Sequence, residues 1–245
     1  MYLLSANDII KIWECGQNQH LLDRAVTILS AGFPELTRDQ LASLSIGERD
    51  RYLLELREKN FGPTLKCFSE CPNCKKNLEF KLFTSDLRSS QVTTSNGKED
   101  SGELVEENIK LKFRLPNSFD VTELEKSEAK GRKNLILKRC ILEATENGNI
   151  YELENISDEI LNKLEECIAD LDQQAEIIFD LKCSECGFIQ EMLFDITAFF
   201  WKEISIQAQL LLKEVHILAY VYGWREEDIL SMSSLRRKHY LNMVT

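Results

Sequence analysis

The sequence predicts an α+β fold, mainly helical, in which N- and C-terminal helical arms are joined by a discontinuous ribbon-like β element carrying a long inserted α/β segment. Three observations predict it. Apolar residues recur at helical spacing at both ends of the chain. Two Cys-x-x-Cys turns, far apart in sequence, each run into a stretch of alternating polarity. Between them lie another alternating stretch and two more helical patterns. The 245 residues are 43% hydrophobic, enough for a core, and contain no apolar run of about 18 residues that would cross a membrane.

The N-terminal helical arm covers residues 1–62. Ser5 with Asp8, Thr37 with Gln40 and Ser45 with Glu48 have the spacing of an N-cap and its reciprocal partner. Ile9, Ile10 and Trp13, then Leu21, Leu22, Ala25, Val26 and Leu29, follow at helical spacing, with AGFPEL (31–36) as the breaker. Residues 63–87 hold the first Cys turn and a strand in which Leu78, Phe80 and Leu82 alternate with Glu79 and Lys81. Residues 88–108 are polar and acidic with little to bury, which predicts a flexible loop.

The inserted segment, 109–175, starts with a strand at IKLKFRL (109–115). Thr122 with Glu125 then offers a cap, and NLILKRCILEA (134–144) and SDEILNKLEECIADL (157–171) read as helices around an NGN turn. Residues 176–197 read as strand, Cys turn and strand. The C-terminal helical arm, 198–245, is interrupted at YGW (222–224) and SMSS (231–234).

Cys71 and Cys74 make one half of a tetrahedral site, and Cys183 and Cys186 make another. Together they form the four-cysteine set of a closed structural zinc site, a zinc-ribbon-like arrangement. Between Cys74 and Cys183 lie 108 residues, where an ordinary ribbon has about 15–20. Loop closure grows only logarithmically, so the longer gap costs about 1.6 kcal/mol more. A structural zinc contributes about 10–16 kcal/mol, which outweighs that. An empty site and another metal are the competing readings. A redox role fits less well, because a redox CxxC opens a helix whereas both of these lead into strands. Four thiolates leave no open position for a catalytic zinc. Cys67, spaced CxxxC from Cys71, is a second-choice ligand, and Cys15, Cys140 and Cys167 read as packing residues on helices.

The net charge of −11 gives no long-range attraction for phosphate backbones. The basic run Arg236–His239 reads as the last turns of a helix, where cations suit the dipole. The N-terminus turns polar after four residues and carries no basic flank, so the expected place is a reducing cytoplasm.

A second symmetry pairs residues 39–56 with 227–244 without gaps. Ser43/Ser231, Ser45/Ser233, Arg49/Arg237, Tyr52/Tyr240 and Leu53/Leu241 are identical. Arg, Tyr and Leu at i, i+3 and i+4 share one helical face. Arg49, Tyr52, Arg237 and Tyr240 are therefore candidate partner contacts, together with Trp201 and Trp224; Trp201, with Phe199 and Phe200, also reads as a core aromatic.

LSIGERDRYLLELREKNFGPTLKCFSECPNC (44–74) resembles a segment of a phage-type baseplate protein family. The same is true of FRLPNSFDVTEL (113–124) and of residues 194–244, with FFWKEI, LLKEVHILA, YGW and SLRRKHYL. The family is related to a baseplate hub assembly protein of T-even phages, with relatives in gene clusters for contractile injection systems. The resemblance implies a part in building or forming the baseplate of a phage-tail-like particle, with other baseplate or tail proteins as partners. Lys75 stands where the family has glycine, and Arg225 where it has a small capping residue.

Two other function classes compete with this one. One is a zinc-ribbon nucleic-acid-binding regulator, which the acidic balance disfavours. The other is an enzyme with Glu79 and Glu191 as paired carboxylates, which strand positions facing solvent disfavour. His20, His216 and His239 are scattered over helices, and no glycine-rich phosphate loop, HExxH or GxSxG occurs. A non-enzymatic role is expected, with no small-molecule substrate.

Overall fold

The computed structural model describes residues 1–88, 101–125 and 132–244, which form a mixture of helices and small antiparallel sheets. The chain starts with α1 (Ala6–Gly16) and α2 (Leu21–Gly32). Then come α3 (Arg38–Ser43), α4 (Ile46–Phe61), β1 (Thr64–Glu70) and β2 (Asn77–Phe83). The inserted segment holds β3 (Ser101–Glu106), β4 (Ile109–Arg114), α5 (Ser118–Glu125) and α6 (Arg132–Cys140). It continues through β5 (Ile141–Glu146), β6 (Asn149–Ile150) and α7 (Asp158–Leu171). Last are β7 (Ile178–Lys182), β8 (Ile189–Leu193), α8 (Ile196–Tyr222), α9 (Glu226–Ser231) and α10 (Ser234–Leu241). Contacts divide them into two units, Met1–Arg38 with Ile196–Thr245, and Asp39–Asp195.

In the first unit the 27-residue α8 is the spine. It buries Ile196, Phe200, Ile204, Ala208, Leu211 and Leu218, which at steps of three, four and seven lie on one face. α1 and α2 pack on it, as do α9 and α10. α1 begins as expected: the Ser5 side chain accepts from the Asp8 amide at 3.1 Å, and Asp8 accepts from the Ser5 amide at 2.9 Å. No helix among the described residues is long and apolar enough to cross a membrane.

In the second unit, Ser45 caps α4 by accepting from the Glu48 amide. Arg57, fully buried near the end of α4, donates to the carbonyls of Gly62 (2.6 Å) and Thr64 (2.9 Å). It thereby fixes how the helix hands over to β1, which leads to the first Cys turn. β1 and β2 form one hairpin, from Thr64 opposite Phe83 to Glu70 opposite Asn77. β7 and β8 form another, from Ile178 opposite Leu193 to Lys182 opposite Ile189. Between them in sequence stands an antiparallel sheet in the order β3-β4-β5-β6. Its core is its own: Leu111, Phe113, Leu137, Ile141, Ala144, Ile156, Leu161 and Leu164.

The structure corrects four expectations. First, β1 is a strand that the reading of 63–87 did not include. Leu65 and Cys67 turn inward while Lys66 and Phe68 face out, so Cys67 is a strand residue opposite Phe80. Second, of the loop expected at 88–108, residues 89–100 lie outside the described residues, but Ser101–Glu106 is strand β3. Its acidic look conceals Leu104, which packs on the core, and Glu103, which pairs with Lys110 at 2.8 Å. Third, the helix expected over 134–144 stops at Cys140, and Ile141–Glu146 pairs with β4 as β5. A short apolar run fits either period, and here the partner strand decides. Fourth, Thr122 lies inside α5 and is no cap: the Asn117 side chain accepts from the Phe119 and Asp120 amides, and Asp120 accepts from the Asn117 amide.

Candidate metal centre

The two Cys turns are built alike. The Cys71 amide donates to Lys76 O (2.9 Å) and Cys71 O accepts from the Lys75 amide (2.9 Å). The Cys183 amide donates to Phe188 O (2.8 Å), and Cys183 O accepts from the Gly187 amide (3.0 Å). Closing such a loop sends the residue after the second Cys into the left-handed region: φ is +73° at Gly187 and +59° at Lys75. Glycine adopts this at no steric cost, while a lysine does so at about 1–2 kcal/mol.

The turns place their sulfurs together. Cys71 Sγ lies 3.7 Å from Cys186 Sγ, Cys74 Sγ lies 3.7 Å from Cys183 Sγ, and all four fall within 4.8 Å of one another. The first Cys of each turn thus faces the second of the other. A tetrahedron with metal–sulfur bonds of about 2.3 Å has edges of about 3.8 Å, so the spacing fits a four-thiolate metal site. A disulfide needs about 2.0 Å, and all eight cysteines are free. Among the described residues this is the one place where three or more His, Cys, Asp or Glu ligand atoms converge.

Burial follows the same symmetry. Cys71 is 1% exposed and Cys183 is 2%, while Cys74 is half-buried and Cys186 exposed. Leu78 and Leu181 pack beneath the sulfurs. Further along the hairpins the rings of Phe80 and Phe179 meet at 6.0 Å, and Gln190 donates to Ser69 Oγ at 3.5 Å. The Phe188 amide, with the Asn73 side chain, holds the Cys186 thiol down to about 6. Cys74 receives the equivalent Lys76 amide, yet desolvation and the other three thiols push it up to about 12. A metal would bind thiolates and displace the remaining protons.

The scaffold around α4 rests on buried charge. The Asp172 carboxylate accepts from the Gly47 amide at 2.9 Å, in the first turn of α4. A Cβ on residue 47 would sit 1.8 Å from Asp172 Oδ1, so only glycine admits this approach. The Asp120 carboxylate binds both Arg114 (2.6 Å) and Arg139 (3.3 Å). Burial works against its charge, but the Arg114 and Asn117 hydrogen bonds win and keep it below the usual value.

The other candidates fall in several places. Arg49 is buried, bound to Asp50 (2.7 Å) and to Ser118 Oγ (3.5 Å). Arg237 is buried, bound to Glu214 (2.9 Å) and the Met232 carbonyl (2.6 Å). Trp201 lies against Gly16, with Arg24 stacked at 4.4 Å. Tyr52 is half-buried under Arg51. Trp224 stacks on Tyr222 at 4.4 Å, and Tyr240 meets its edge at 4.8 Å. Glu79 and Glu191 both face solvent and share no buried pocket. Cys140 is buried, Cys167 half-buried, and Cys15 is exposed, contrary to its expected packing role. Arg225 precedes α9 with no side-chain cap. Asn73, Asp120 and Asp172 escaped the sequence reading; only Asn73 carried a signal, its place inside the first Cys-x-x-Cys.

A family model described as T4 bacteriophage base plate protein matches residues 9–201. The match spans α1 through both Cys turns and ends just inside α8, so most of the 194–244 stretch lies outside it. No curated protein and no solved structure matches the chain.

Proposed function

Because the chain belongs to the T4 bacteriophage base plate protein family, we propose that it is a non-enzymatic baseplate component or baseplate assembly factor of a contractile phage-tail-like particle, with a structural zinc held by Cys71, Cys74, Cys183 and Cys186. The observation that carries the zinc reading is the set of four sulfurs at tetrahedral spacing, drawn from two Cys turns with 108 residues between them. Zinc suits it best, since four thiolates in a closed, half-buried site match the structural class of that ion. Its work is architectural: it ties the two hairpins together as a zinc ribbon and so fixes the ends of the inserted sheet. Other baseplate or tail proteins are the partners, and Tyr52, Trp224 and Tyr240, whose rings are only half-buried, remain contact candidates. The site of action is the bacterial cytoplasm, where such particles assemble.

The test is affinity purification of the tagged chain expressed with its own gene cluster, combined with metal analysis. Co-purifying baseplate or tail proteins and one zinc per chain are expected. A preparation free of particle proteins would sink the baseplate role, and a folded, metal-free chain would sink the zinc.

A further inference from the structure

The repeat seen in the sequence is also a repeat of structure. α3 and α9 are each six residues long. Ser43 and Ser231 each donate to the carbonyl three residues back, at 2.9 and 2.8 Å. Ser45 and Ser233 cap α4 and α10 by accepting from Glu48 and Arg236. Arg49 and Arg237, four residues beyond the caps, are both buried.

Their surroundings differ. At α4 the first turn is covered by its own unit. Asn117 bridges Ser45, the Ile46 amide donates to Pro116 O, and Asp172 sits on Gly47. At α10 the position equivalent to Gly47 is Leu235, which is 79% exposed. Leu235 and Met243, itself 62% exposed, line a cleft with Arg236, Lys238 and His239. The first turn of α9, a few residues earlier, carries Glu226, Glu227 and Asp228, all exposed. Among the described residues no ion pair joins these three acids to these three bases.

We propose that this α9–α10 face is a self-association surface that pairs two copies of the chain. A two-fold contact needs a patch complementary to itself. The exposed acids of α9, together with the bases that line a cleft with Leu235 and Met243, meet that need. An axis near Leu235 sets Glu226–Asp228 of one copy against Arg236, Lys238 and His239 of the other, and covers Leu235 and Met243. The chain carries −11, so two copies approaching at random repel each other. The matched blocks make this face favourable and fix its register.

Sedimentation velocity of the full, metal-loaded chain at low salt tests the proposal. A concentration-dependent dimer that weakens as salt rises is expected. Leu235→Asp weakens it by about tenfold or more, as removal of a central apolar anchor does. Two charge-reversed variants sharpen the test: Glu226→Lys with Glu227→Lys, and Lys238→Glu with His239→Glu. Each alone places like charges across the axis and stays monomeric. Mixed, they meet as opposites on both sides of the axis and form a heterodimer. Circular dichroism confirms that the helices survive, as these exposed positions predict. A monomeric wild type, or a mixture that stays monomeric, overturns the proposal.

Discussion

Lys75 is the residue at which this chain departs from its own internal symmetry. The first Cys turn repeats the hydrogen bonds of the second, but with a lysine at φ +59° where the second has Gly187. The lysine's compensation is a solvent-exposed contact with Glu70 at 3.6 Å, of a kind that contributes little. Lys75→Gly is therefore expected to stabilise the metal-loaded protein by about 1 kcal/mol, and Gly187→Lys to destabilise it by a similar amount. Urea unfolding would show opposite midpoint shifts with unchanged slopes; a loss of stability in Lys75→Gly would refute the strain. The four clustered cysteines were legible because a Cys-x-x-Cys turn is local and is written in four residues. Asp172 and Asp120 were not. Asp172 serves an amide 125 residues away, and nothing near it in sequence marks that use. Arg49 was legible as a repeated residue but not as a buried one, since its Ser118 partner lies 69 residues on.

At the scale of elements, helices with caps and long periodic faces were readable, as at α1 and α4, where Ser5 and Ser45 cap as their spacing implied. Short strands were not. β3 and β5 owe their state to β4, which pairs with both, and a single segment does not reveal its partner. The start of α4 adds a titratable joint. Burial raises Asp50 from 3.8 to about 6, against the pull of Arg49, and Asp195 and Asp172 add to the rise. Between those values the folded chain keeps a proton that the unfolded chain has released. Stability from this group is thus full below the unfolded value and is lost as pH rises through about 6. Asp50→Asn removes the titration. The stability of wild type relative to Asp50→Asn should fall from pH of about 3 to about 7, most steeply between about 4 and 6, by up to about 3 kcal/mol in all. Comparing both proteins at each pH cancels any common loss of metal. A difference that stays flat, or rises with pH, would refute the assignment.

At the scale of the whole molecule, the inserted sheet and the paired hairpins hold together by different means. The sheet has eight buried residues, from β4, β5, α6, α7 and the loop before α7, a core that closes on itself. The hairpins have only Leu78 and two cysteines buried at their junction. Two-stranded sheets are marginal in water without further support, so the metal proposed for the four cysteines would be the main source of order there. The structural zinc proposed above would contribute about 10–16 kcal/mol, as large as the whole stability of a typical domain, and its removal would be felt first at the two Cys turns. Treating the protein with a strong chelator and following amide hydrogen exchange is expected to abolish protection in β1, β2, β7 and β8. The amides of β4 and β5 should keep theirs, because Leu111, Phe113, Ile141 and Ala144 remain covered. Those of α8, whose buried face carries no cysteine, should also be unchanged. Cys183→Ser should reproduce the chelated pattern without chelator. Hairpins that stay protected after chelation would show that the hydrophobic contacts at Phe80 and Phe179 suffice. Loss of protection in β4 and β5 at the same chelator concentration would show that the sheet depends on the metal as much as the hairpins do.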